Sequence, residues 1–368
     1  MGVKLDIDLV AAARPNFIKI APLFHALARE SWCDVRLIHT GQHYDENMSA
    51  AFFTDFALPK PDLHLGIGSG THAEQTGRTL MAYERICLEH RPDWAIVVGD
   101  VNATLACSLA ATKIGIRVGH VEAGLRSRDR SMPEEVNRIL TDAVADVLWT
   151  PSDDAGDNLR SEGIPEERID FVGNIMIDTL EFMRPRIEVS RVREGLGLVA
   201  GGYAVVTLHR PSNVDDPAQL SMLVDALVRI SAELPLVFPV HPRTRARLDE
   251  AALWRRLDAC VGIRLVEPLG YVSFMNILTG AALAITDSGG MQEETTYLGI
   301  PCLTIRTTTE RPITLTQGTN RLVRGDQLRD AVDAVLAKAT RSTALHRPPA
   351  LWDGRAAARI VDSLRRRM

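Results

Sequence analysis

Residues 93–139 read DWAIVVGDVNATLACSLAATKIGIRVGHVEAGLRSRDRSMPEEVNRI. The order is strand, helix, strand, helix. The first apolar run, WAIVVG, ends at Asp100, and the second, IRVGHV, ends at Glu122. Glu134 and Glu135 follow Pro133 at the start of the next helix, where acids also favour the positive helix end. In an open α/β sheet, ligands bind beyond the carboxyl ends of the strands. Acids gathered at such an edge point to proton transfer more than to packing. Carboxylates crowded in one cleft push their pKa values apart, so one can act as a base while another donates. Arg126 and Arg138 are near enough in sequence to keep one of them ionised.

The same alternation runs outward in both directions. Strand candidates LDIDLVAA, DVRLIHT, DVLWTPS and IDFVGN flank the central pair, with amphipathic stretches between them. The pattern pauses near Gly173 and breaks at GLGLVAGG. It restarts with YAVVTLH, LVFPVH, IRLVEP, ALAITDS and PCLTIR. This predicts an α/β chain of two Rossmann-like doubly wound halves, with a hinge around residues 173–200. The first domain covers 1–173 and is joined by a C-terminal helix over 353–368, N-capped by Asp353 or Gly354. The second domain covers 174–352.

Composition narrows the classes. The chain has 368 residues, 46% hydrophobic and 24% charged, with net charge -5 and pI about 6.1. Nothing in that balance asks for nucleic acid or a membrane. Cys33, Cys87, Cys107, Cys260 and Cys302 are scattered and form no CxxC pair, so they read as small buried hydrophobes rather than metal ligands. The start, MGVKLDIDLV, reads as a strand with no charged leader, and no apolar run reaches spanning length. The expectation is a cytoplasmic protein with no metal.

Several further stretches read as sites. After the first strand, ARPNFIKIAPL places Arg14 and Lys19 around a proline at a helix start, an anion seat. TGQHYDENMS puts Gln42, His43 and Tyr44 at the end of the second strand. GIGSGTHAEQTGR holds a loose dinucleotide fingerprint, but it does not open the first βα unit and has no suitably placed acid, so it reads as a glycine-rich loop. His209 and Arg210 end the first strand of the second half, and His241 and Arg243 end the next. In ITDSGGMQEETTYLGIP, Ser288-Gly289-Gly290 lies between strand and helix. The glycines admit close approach and the helix start offers N–H groups to phosphate. Glu293 and Glu294 sit one turn into that helix, where a carboxylate can accept ribose hydroxyls. Arg306 and Arg311 in IRTTTERP are placed to close on the same phosphates.

Taken together, ARPNFIKIAPL, TGQHYD, VVGDVNATLA, GHVEAGLRS, MPEEVNR, VGNIMIDTL, TLHRPSN, SGGMQEE, TTERP and WDG resemble, in order, the non-hydrolysing UDP-N-acetylglucosamine 2-epimerases. The resemblance spans nearly the whole chain. It implies a glycosyltransferase-B-like architecture, two Rossmann-like domains facing a central cleft, with the C-terminal helix crossing back to the first domain. It further implies a homodimer, a UDP-sugar substrate and no cofactor. By resemblance, Arg14, Lys19, Asp100, Glu122 and Glu134 belong to the first-domain site. His209, Phe274, Ser288, Gly289, Gly290, Glu294 and Arg311 belong to the nucleotide side. Gln42 and His43 match a second, allosteric substrate site found in some members. Asn16 stands where many members carry Glu, and the position near Leu269 is apolar where Gln is common.

The resemblance implies chemistry by elimination. A base removes the C2 proton while UDP leaves C1; UDP then returns and a proton is delivered to the other face. Asp100, Glu122 and Glu134 are the proton-handling candidates, with base and acid not distinguished by sequence. Glu135 reads as a helix-start residue instead. Other readings of the same residues are an epimerase of a modified sugar such as a diacetamido uronic acid, a hydrolysing epimerase that releases N-acetylmannosamine, a glycosyltransferase, and a nucleotide-sugar sensor.

Overall fold

The computed structural model describes residues 4–12, 14–41, 53–339 and 346–368, without the side chains of Arg14, Pro15, Lys338 and Ala339. The chain divides into two compact units, Met1–Phe182 with Ala350–Met368, and Met183–Pro349. The division falls inside the helix Ile175–Val189.

The first unit is built on a parallel sheet of β1 (Leu5–Ala11), β2 (Cys33–His39), β3 (Leu63–His64), β4 (Trp94–Val98), β5 (Arg117–Val121), β6 (Val147–Thr150) and β7 (Ile169–Phe171). Its order is β3-β2-β1-β4-β5-β6-β7. The order reverses between β1 and β4, the place where such sheets receive ligands. All five residues of β4 are buried, as expected for a central parallel strand covered by helices on both faces. Val98 pairs with Val121, so β4 and β5 end level and release Asp100 and Glu122 at the same edge.

The second unit repeats the plan. Its strands are β8 (Ala204–Thr207), β9 (Leu236–Pro239), β10 (Ile263–Val266), β11 (Leu283–Thr286), β12 (Cys302–Ile305) and β13 (Asn320–Val323), all parallel, in the order β10-β9-β8-β11-β12-β13. Thr286 pairs with Thr207, so β11 and β8 also end level at the switch point. Leu223, Leu227, Ile285 and Leu303 are among the buried residues of a core belonging to this unit alone.

Two edge strands, β3 and β13, are absent from the sequence reading. The first is only two residues long. The second, NRLV, has a mixed burial pattern and lacks the apolar run of a central strand.

The C-terminal segment completes the first unit. Trp352 Nε1 donates to Pro151 O at 2.9 Å, and Trp149 Nε1 donates to Ser363 Oγ at 2.8 Å. The helix is Ala356–Arg365, and its N-cap position is Arg355 rather than Asp353 or Gly354. Its free N–H groups go to Asp178, which accepts from Ala356 at 3.0 Å and Ala357 at 2.8 Å. Asp353 instead pairs with Arg359 at 2.5 Å. No helix among the described residues is long and apolar enough to cross a membrane.

Candidate active site

The acid set of the first unit is assembled by turns. Gly99 leaves β4 with φ +70, and Glu122 leaves β5 with φ +71. Left-handed backbone is costly for a glutamate and persists only where surroundings enforce it. A side chain at Gly99 would start 3.3 Å from Lys19 Nζ, 3.4 Å from Glu122 Oε2 and 3.5 Å from Asn16 Nδ2. The glycine is therefore needed for the polar groups to close over this turn. Lys19 forms an ion pair with Glu122 in a nearly buried position. Asn16 Nδ2 donates to Val98 O at 3.0 Å and so holds the β4 exit.

Asp100 is half-buried and pairs with Arg138 at 2.5 Å. Asn137 Nδ2 donates to the Asp100 carbonyl at 2.9 Å. Arg138 also pairs with Glu135 at 2.7 Å. Glu135 accepts the N–H groups of Ser127 at 2.9 Å and Arg128 at 2.7 Å. Burial resists its ionisation, but those two N–H groups and Arg138 outweigh it and hold the carboxyl below its ordinary range. Glu135 is thus a loop clamp rather than a proton carrier. Glu134, one residue earlier, is half-buried, and its carboxylate makes no hydrogen bond or ion pair among the described residues. Arg14 opens the helix Arg14–Leu27. Gln42 and His43 lie outside the described residues.

The glycine-rich stretch takes another role. Thr71 accepts from Glu74 N and Glu74 reaches back, a capping box that starts the helix His72–Glu89. An acid at that helix start is the opposite of a diphosphate seat.

In the second unit, the helix Gly289–Leu298 begins directly after β11. Ser288 is its N-cap and makes no side-chain capping bond, so its hydroxyl leaves the first N–H groups of the helix uncapped. A side chain at Gly289 would sit 2.7 Å from Arg311 Nη1 and 2.8 Å from Glu310 Oε1. Arg311 is packed against this helix start. Its Nε lies 2.9 Å from Glu293 Oε2, and it also pairs with Glu310, which holds Arg306 at 2.8 Å. Glu293 and Glu294 therefore separate: the former orients Arg311, and the latter is buried beside Tyr271. Burial pushes the Glu294 carboxyl up to about 8, against a lowering contact with Tyr271. Tyr271 opens the helix Tyr271–Thr279, which carries the half-buried Phe274.

His209 follows β8 and meets Asp287, which follows β11. His209 Nδ1 is 2.9 Å from Asp287 Oδ1. Asp287 Oδ2 accepts the N–H groups of His209 and Arg210, both at 2.9 Å, and Asn213 Nδ2 at 3.1 Å. Burial opposes the charge on Asp287, but His209 and those N–H groups prevail and hold it below the usual carboxylate range. The pair orients the imidazole so that Nε2 is the presented nitrogen. The His241 ring lies 5.7 Å away, its Nδ1 accepting Arg243 N at 3.2 Å, while Arg243 itself pairs with Asp215. Asp287 escaped the sequence reading, although an aspartate one residue before the Ser-Gly-Gly turn was the available signal.

Two parallel switch points, one lined by acids and one by an uncapped helix start with arginine and histidine, define an α/β enzyme of the glycosyltransferase-B-like class. Comparison with known proteins narrows this. Residues 25–365 match the family described as UDP-N-acetylglucosamine 2-epimerase. The chain is 43% identical over 325 residues to the UDP-N-acetylglucosamine 2-epimerase of Methanococcus maripaludis, covering 87% of this chain and 88% of that one. It is 41% identical over 323 residues to the UDP-2,3-diacetamido-2,3-dideoxy-D-glucuronate 2-epimerase of Pseudomonas aeruginosa, again covering 87% and 88%. The crystal structure of the Methanocaldococcus jannaschii UDP-GlcNAc 2-epimerase in complex with UDP-GlcNAc and UDP matches with a TM-score of 0.89 at 40% identity, covering 98% of this chain and all of that one. The chain belongs to the UDP-N-acetylglucosamine 2-epimerase family and is an epimerase.

Proposed function

We propose that the protein interconverts UDP-N-acetylglucosamine and UDP-N-acetylmannosamine without net hydrolysis. The C2 proton moves to a carboxylate as the C1–O bond to UDP breaks. The C2–H electron pair becomes the C1–C2 double bond of a 2-acetamidoglucal. The diphosphate oxygen then re-forms its bond to C1, and a proton is delivered to the other face of C2. Asp100, Glu122 and Glu134 carry the protons. His209, Arg311 and the Ser288–Gly290 helix start stabilise the departing diphosphate, with Arg14 and Lys19 as further cations on the acid side. Phe274 and Glu294 take the nucleoside.

The observation that carries this reading is the unequal setting of the acids. Asp100 is paired with Arg138 and Glu122 with Lys19, whereas Glu134 makes no such bond among the described residues. Two acids held by cations and one without a cation are placed to take different parts in a two-faced proton transfer. Each positioned acid or base contributes roughly 10²- to 10⁴-fold. Family membership supports the substrate class, and family resemblance supports a homodimer and a second substrate site at Gln42 and His43.

The test is incubation with UDP-N-acetylglucosamine in D₂O, followed by NMR. Epimerisation incorporates deuterium at C2 and yields UDP-N-acetylmannosamine. Free N-acetylmannosamine would establish hydrolysis instead, and a C2 that stays protonated would fit a transferase or a sensor. Asp100→Asn and Glu134→Gln should each abolish exchange while UDP still binds, whereas His209→Ala should weaken UDP binding. Exchange that persisted in both acid variants would sink the assignment. The Pseudomonas aeruginosa relative favours a second reading, a diacetamido uronic acid as the sugar. The ratio of kcat/KM for the two sugar nucleotides decides between them.

A further inference from the structure

Beneath the acid-bearing turns lies an ion network that the epimerase reading leaves unused. His120, in β5, is wholly buried. Its Nδ1 lies 2.6 Å from Asp142 Oδ1, and its Nε2 lies 2.9 Å from Gly99 O. A carboxylate and a carbonyl are both acceptors. The ring bridges them, one nitrogen toward each. The other Asp142 oxygen takes Arg126 Nη1 at 2.7 Å and Gly124 N at 3.1 Å. Arg126 continues to Glu162 at 2.7 Å. Burial resists the charge on Asp142, yet His120 and Arg126 outweigh it and hold the carboxyl below its usual range.

The partners of this network are the two turns themselves. Gly99 O belongs to the peptide that leads into Asp100. Gly124, with φ +80, closes the turn that carries Glu122. Both turns use left-handed backbone, which something must hold. We infer that His120 is a positioning residue: buried and fixed by Asp142, it ties down the Gly99 carbonyl and so sets Asp100, while the same carboxylate sets the Glu122 turn through Gly124. This deepens the epimerase reading and rests on it for which reaction suffers. A misplacement of about 1 Å at a reacting group costs about 10²-fold in rate. A role in packing alone would lower stability and leave turnover of the folded enzyme intact.

The test has two arms. In the first, His120→Phe, which keeps a ring but has no N–H, is compared with the wild type for C2 exchange in D₂O and for UDP affinity. The expected result is a fall of about 10²-fold in kcat with unchanged UDP affinity, because the nucleotide groups belong to the other unit. Asp142→Asn should also lower kcat at unchanged UDP affinity, since the carboxylate that fixes His120 and holds Gly124 is gone. Wild-type exchange in a folded His120→Phe overturns the inference. The second arm needs no turnover. NMR of the ¹⁵N-histidine-labelled protein should show a His120 ring N–H protected from solvent exchange, the signal being assigned by its loss in His120→Phe or, should that variant not fold, in His120→Gln. A His120 ring N–H that exchanges freely with solvent overturns the inference. Absence of exchange in the wild type would refute the epimerase reading alone.

Discussion

At the scale of single residues, Glu294 carries a consequence for binding. Its carboxyl is pushed up to about 8 by burial, so it is mostly neutral at pH 7 in the unliganded protein. Nucleoside hydroxyls donating to it would favour the ionised form. Binding of UDP at pH 7 should then release a proton, and affinity should rise as pH rises toward 8. The stability of the unliganded protein runs the other way. A carboxyl whose pKa is raised on folding favours the native state at low pH, and that contribution is lost as pH climbs from its ordinary 4.5 through about 8. Calorimetry in buffers of different ionisation enthalpy measures the proton. Glu294→Gln should abolish both the Glu294 share of its release and the pH slope of affinity. An unchanged proton count in that variant would show that Glu294 does not titrate with binding. Glu294 was legible in the sequence because SGGMQEE puts an acid one turn inside a helix start. Its neutrality was not, because that follows from burial and from the neighbouring Glu293, which together outweigh the contact with Tyr271. His120 was hidden for a related reason: inside an apolar run it reads as core, and its two acceptors come from Gly99 and Asp142, remote in sequence.

At the scale of elements, the start of the helix Gly289–Leu298 shows how little room the proposed diphosphate seat leaves. Gly289 is the first residue of this helix, so Gly289→Ala gains less than the roughly 0.5–1 kcal/mol that replacing a glycine brings in a helix interior. The added methyl, however, meets Arg311 Nη1 at 2.7 Å and Glu310 Oε1 at 2.8 Å. Arg311 must move, and its ties to Glu293 and Glu310 move with it. The expected outcome is a protein as stable as the wild type that binds UDP at least about tenfold more weakly, or roughly 1.4 kcal/mol. Equilibrium dialysis with UDP and a denaturant melt check the two halves of that statement. Elements of this kind were well marked in the sequence, because central strands buried on both faces write continuous apolar runs. The edges were not. β13 follows a polar turn and carries Arg321, and its place is decided by pairing with β12. The cap of the C-terminal helix was misread for the same kind of reason. Asp353 looked like a local cap, but the acceptor is Asp178, supplied from the helix Ile175–Val189.

At the scale of the whole molecule, the chain builds two cores and finishes the first one last. The segment Ala350–Met368 belongs with residues far earlier in sequence. Trp352 is 3% exposed, and its indole N–H is bound to Pro151 O, so it is both a large buried surface and a satisfied donor. Replacing it removes both. Trp352→Ala should cost about 3–5 kcal/mol, the usual range for a large aromatic lost from a core. The cost should be local. The core of the second unit draws on residues between Ala204 and Leu336, none of them in the returning segment. Hydrogen exchange read by mass spectrometry should therefore show lost protection in the described parts of residues 4–182 and in 350–368, with 204–336 unchanged. UDP affinity at low temperature should persist while C2 exchange is lost on mild warming, because the acids sit in the weakened unit. Equal loss of protection in both units would mean that they unfold as one cooperative body. The separation would then hold for the chemistry but not for stability.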